Sequence, residues 1–93
     1  MKANPNRVQE ALDILQEECA EVIVEISKCR RFGLNNLHYK TNIPHKAMLQ
    51  MEIGDVMAMI DILVEQEILD IKELLLAAEN KKEKLKLWSK IYE

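Results

Sequence analysis

Apolar and small side chains recur in alternating steps of four and three near the start of the chain, at Val8, Leu12, Leu15, Cys19, Val22, Ile26 and Cys29. That rhythm keeps one stripe of a helix apolar and is the signature of a bundle seam. It predicts a first helix from about Pro5 to Phe32. Asn4 is placed to cap it, Pro5 suits the first helical position, and Gly33 suits the residue just past the end.

A second helix is expected from about His45 to Gln66. Its apolar residues run almost all the way round, from Met48 through Ile53, Val56, Met57 and Ile60 to Val64. A helix patterned like that is expected to be central and covered on several sides. The third element is expected from about Asp70 to Tyr92, with Asp70 as cap and Glu73 completing a capping box. Its inward residues are expected to be Ile71, Leu74, Leu75, Ala78, Leu85, Trp88 and Ile91. Between the first two helices lies GLNNLHYKTNIP, residues 33–44, rich in turn formers yet holding Leu34, Leu37, Tyr39 and Ile43. It reads as a loop ordered enough to pack down, and long enough to be functional.

Composition narrows the class. Hydrophobic residues make up 48% of the chain but aromatic ones only 4%, with two glycines and two prolines. Too few turn formers are present for an all-β chain. The expectation is an all-α, antiparallel helical bundle of about three long helices, one domain over residues 1–93. So short a chain has a modest core, and oligomerisation would complete it. No apolar run reaches the ~18 residues of a membrane span, so no membrane is expected. The N-terminal MKANPNR is polar, and no secretory leader is expected. Cys19 and Cys29 share a helix about 15 Å apart, too far for a disulfide, which fits reduced cysteines and a cytoplasmic location. His38 and His45 are isolated and read as loop or helix-cap residues. The net charge of −3 argues against nucleic acid as a partner, although residues 80–90 carry five lysines against one glutamate.

The chemistry is concentrated in acids. Glu18 and Glu21 stand in LQEECAEV, and Glu52 and Asp55 in MEIGDVM. Each pair has i, i+3 spacing, so both carboxylates of a pair project from one side of a helix. Glu18, Glu21, Glu25 and Lys28 continue a stripe that begins with Ala11 and Ile14. Glu52 and Asp55 share the side of Met48, Met59 and Ile62. Carboxylates placed among covered residues need a positive partner. A hard divalent cation such as Mg2+ accepts such oxygen ligands and keeps open positions for water and phosphate oxygens. Redox iron is disfavoured, because the Glu-x-x-His pairing of di-iron bundles does not occur.

These residues closely resemble the MazG-like all-α nucleoside triphosphate pyrophosphohydrolases, of the small bacterial and phage type. The paired motif E-E-x-x-E and E-x-x-D stands here as Glu17-Glu18-Cys19-Ala20-Glu21 and Glu52-Ile53-Gly54-Asp55, and ISKCRRFG at 26–33 also matches. The 30 residues between Glu21 and Glu52 make a longer gap than many members have. The resemblance implies cleavage of an NTP or dNTP to the monophosphate and pyrophosphate. It implies that Glu18, Glu21, Glu52 and Asp55 hold Mg2+ (or Mn2+ in its place), with Glu17 holding a second ion or orienting the water alongside Glu18. Lys28, Lys81 and Lys84 would meet phosphates, and the 33–44 loop, or Phe32, Tyr39 or Trp88 by stacking, would meet the base, although Trp88 falls on the inward face and reads better as core. It further implies a homodimer or homotetramer. The competing expectation is a non-catalytic helical interaction or regulatory module.

Overall fold

The computed structural model describes residues 4–93 and is all-helical: α1 spans Pro5–Phe32, α2 His45–Glu65 and α3 Ile71–Trp88. The helix ends follow from local chemistry. The Asn4 side chain accepts the Asn6 amide at 2.9 Å, satisfying one of the orphan donors of the first turn of α1. Gly33 closes that helix at φ 95°, donating its amide to the Cys29 carbonyl at 2.9 Å. A side chain there is strained by the backbone alone, and its Cβ would lie 3.1 Å from Asn36 Nδ2. Asp70 caps α3, accepting from the amides of Lys72 at 2.8 Å and Glu73 at 3.2 Å. This helix stops at Trp88, earlier than the expected Tyr92, because Ser89 turns extended and donates both its amide and its hydroxyl to the Leu85 carbonyl.

Proline at the N-cap of α2 supplies no side-chain acceptor. The loop does the capping instead. His45 and Lys46 donate their amides to the carbonyls of Asn36 and Leu34, at 3.0 and 2.9 Å. Within the loop, His38 donates its amide to Ile43 at 2.8 Å, and its Nδ1 accepts the amides of Lys40 and Thr41. An Nδ1 that accepts places the imidazole proton on Nε2. Residues 33–44 are therefore an ordered turn folded back over the start of α2.

Phe32 stacks on His45 at one end of α1 and α2, while Ala11 and Ile14 line one cleft with Met59 and Ile62 at the other. The two helices are thus antiparallel, a hairpin that pack along their length. Its buried residues are Ala11, Glu25, Cys29, His45 and Leu63, with Leu63 completely enclosed. The covered face of α1 takes in half of the apolar seam, with Val8, Leu15 and Val22 half-buried and Cys29 buried, together with the neighbouring stripe of Ala11, Ile14, Glu18 and Glu25. The seam residues Leu12, Cys19 and Ile26 lie on the exposed flank.

α3 behaves differently. It packs extensively on neither α1 nor α2. Its expected inward residues Ile71, Leu75, Trp88 and Ile91 are all exposed, Trp88 by 73%. Likewise Met51, Ile53 and Met57 leave α2 open where full coverage is expected. The cause is geometric. The chain measures 44 × 38 × 14 Å, with a radius of gyration of 16.3 Å, against about 12 Å for a compact chain of this length. Among the described residues, no helix is long and apolar enough to cross a membrane.

Candidate functional site

Antiparallel pairing brings the two acidic motifs level with each other. Glu18 lies near the middle of the α1 face, and Glu52 near the middle of the opposing α2 face. One carboxylate oxygen each from Glu18, Glu52 and Asp55 lie within 4.8 Å of one another, the first two half-buried and Asp55 exposed. No lysine or arginine is paired with any of the three among the described residues.

The electrostatics follow from that placement. Burial pushes the Glu18 carboxyl above its ordinary value, and Asp55, Glu17 and Glu21 push it further by repulsion. Glu52 is raised in the same way, by burial first and then by Asp55, Glu18, Glu21 and Glu25. Both shifts have the causes expected of carboxylates partly withdrawn from water and, secondarily, of like charges held together without a counter-ion. These residues fit a hard divalent cation. The donors are all oxygen, their spacing allows a shared ligand, and such an ion would replace repulsion with attraction.

Of the other sequence-derived candidates, Glu17 and Glu21 are exposed. They act on the cluster through charge and stand outside the converging three. Lys28 is half-buried and donates to Glu25 Oε1 at 3.4 Å. Lys81 and Lys84 are exposed on α3. Lys81 lies over the Trp88 ring, 6.0 Å from its centroid, and the chain by itself brings neither lysine to the acids.

Two residues carry more weight here than their sequence positions suggest. Glu25 is only 5% exposed, and its Oε2 is buried without a hydrogen-bond partner. Its position seven residues, about two turns, beyond Glu18 was the available signal. His45, read as a cap, is 3% exposed with Nδ1 buried and unpartnered. A solitary histidine gives no spacing signal.

Beyond Lys28, where α1 ends, a pocket of about 460 Å³ opens under the 33–44 loop. Lys28, Arg31, Phe32, His38, Tyr39 and His45 form much of its wall. The rings make a connected set. Phe32 and His45 stack at 5.4 Å, His38 meets His45 edge-on at 5.7 Å, and His38 and Tyr39 stack at 5.0 Å. No model of a known protein family, no curated protein and no solved structure matches the chain.

Proposed function

We propose that the chain is a Mg2+-dependent nucleoside triphosphate pyrophosphohydrolase, converting an NTP or dNTP to its monophosphate and pyrophosphate. The observation that carries this reading is the convergence of Glu18, Glu52 and Asp55 within 4.8 Å, with no basic residue paired to them among the described residues. The MazG-like resemblance supplies the reaction.

In this reading Glu18, Glu52 and Asp55 hold the cation, and Glu21 joins from the next turn of α1. When bound, the ion would offset phosphate charge and lower the pKa of a coordinated water. The protein groups position and neutralise, which is most of what phosphoryl transfer asks of an enzyme. Glu17, exposed beside Glu18, is available to take a proton from the attacking water. Lys28 sits between the acids and the loop pocket, where a phosphate chain would pass. Lys81 and Lys84 contribute only if α3 of a second subunit reaches the site, in a homodimer or homotetramer. The exposed apolar flank of α1 and the uncovered α3 support such an assembly.

A panel of NTPs and dNTPs with Mg2+ tests the reading, with products separated by ion-exchange chromatography. Pyrophosphate and monophosphate are expected from wild type, and neither from Glu52→Gln or Asp55→Asn. Orthophosphate alone, or no product from any nucleotide, rejects it. The exposed apolar side of α3 favours a second reading, a helical interaction module with no catalysis, which predicts that those two variants keep partner binding intact.

A further inference from the structure

We propose that the pocket beneath the 33–44 loop is the seat of the nucleobase, so that substrate choice is made by the α1–α2 connection and not by the acids. The inference rests on the nucleotide reading above. It names a site for the ring, about which the acidic cluster is silent.

The pocket is built for a flat ring. Phe32, His45, His38 and Tyr39 form a continuous aromatic lining, and base–aromatic stacking tolerates any base while still rewarding a planar one. A polar anchor is also present. His45 lines the pocket, is 3% exposed, and has a buried Nδ1 with no hydrogen-bond partner. Buried polar atoms are almost always satisfied, so an unpaired nitrogen in a pocket wall is open to a ligand group. In the proposed complex a ring nitrogen or an exocyclic group of a base would complete it.

Charge and distance agree. Lys28 and Arg31 stand on the same wall, and among the described residues Arg31 is paired with no carboxylate. His45 and Glu52 are seven residues apart on α2, about 10 Å of helix rise. A nucleoside triphosphate covers such a span from its ring to its phosphate chain. The base would lie under the loop, the phosphates would pass Arg31 and Lys28, and the bond to be cleaved would reach the acids.

Calorimetric titration of the full chain without divalent metal tests this, using the ribo- and deoxyribonucleoside monophosphates, with ribose 5-phosphate as the probe lacking a base. At least one monophosphate is expected to bind about tenfold or more tightly than ribose 5-phosphate, the gain that stacking of one base supplies. His45→Phe keeps a ring and removes the polar atom, and Tyr39→Ala changes a residue that is 85% exposed. Each is expected to weaken monophosphate binding by about fivefold or more while leaving ribose 5-phosphate unchanged. Equal binding of monophosphates and ribose 5-phosphate overturns the proposal. So does wild-type binding by Tyr39→Ala together with a folded His45→Phe. Base-dependent binding without hydrolysis of any nucleotide would sink only the enzymatic reading. Hydrolysis of inorganic tripolyphosphate as fast as of every NTP, with no base-dependent binding, would sink only this one.

Discussion

Glu18 on α1 and Glu52 on α2 present carboxylate oxygens within 4.8 Å of each other across the face that joins the two helices. Two like charges placed where a packed hairpin would favour leucines oppose folding unless something positive joins them. The metal-free protein should therefore gain stability when the repulsion is removed. Glu52→Gln is expected to raise the melting temperature by a few degrees in EDTA and to abolish the further rise that Mg2+ gives wild type. A differential scanning fluorimetry series in both buffers reads the two effects. A melting temperature lowered by Glu52→Gln in EDTA contradicts the assignment.

The same pair sets a pH dependence. Both folded-state values lie above the ordinary 4.5, so the folded chain holds protons that the unfolded chain has released. The stabilising effect of that protonation is complete below the unfolded value and is lost as pH rises through the folded ones. Metal-free wild type should thus become less stable from pH 4.5 upward until both groups are ionised, relative to a Glu18→Gln/Glu52→Gln double variant. Urea denaturation across this range measures the difference. Mg2+ affinity should rise over the same interval, since protons compete for the oxygens.

Glu25 and Lys28 form the half-buried ion pair next to the cluster. Lys28→Met leaves the buried carboxylate uncompensated and is expected to cost about 2–4 kcal/mol. Adding Glu25→Gln should recover much of that loss. A double-mutant cycle by chemical denaturation checks the coupling, and additive single effects would show that the pair contributes nothing.

Leu63 is the residue sealed completely inside the hairpin. Leu63→Ala is expected to cost about 2–5 kcal/mol through lost transfer energy and the cavity left behind. The same substitution at Leu87, 84% exposed on α3, should cost less than about 0.5 kcal/mol in the monomer. If α3 is covered by another subunit, the cost at Leu87 will grow with protein concentration, which sedimentation equilibrium and denaturation together will show.

Gly33→Ala should destabilise by about 1–3 kcal/mol, because only glycine takes a φ of 95° without strain. The loss should appear in urea melts and in weakened nucleotide binding alike, since Gly33 launches the turn that roofs the ring pocket.

Much of this was readable from residue order. The helix starts at Asn4-Pro5 and Asp70 and the stop at Gly33 follow from capping chemistry and recur in the structure. The acids of α1 and α2 were legible because i, i+3 spacing fixes their side of a helix. What spacing could not reveal was which flank of α1 meets α2. The apolar seam is the stronger pattern, yet only its Val8, Leu15, Val22 and Cys29 side is covered, and the acid-bearing stripe beside them shares that face while Leu12, Cys19 and Ile26 stand exposed. Amphipathicity reports that a face is covered, not by what, so the inward residues of α3 gave no warning that they would stand open. His45 was hidden for another reason: its burial comes from the loop folding back, a tertiary event with no periodic trace.

One consequence follows from where α3 stands. Every group placed here in metal or base binding by the chain itself lies on one uninterrupted stretch, from Glu17 to Asp55. The last third of the chain touches that stretch little. Substitutions on the exposed side of α3 should therefore leave the geometry of the acidic cluster and of the loop pocket unchanged within one chain.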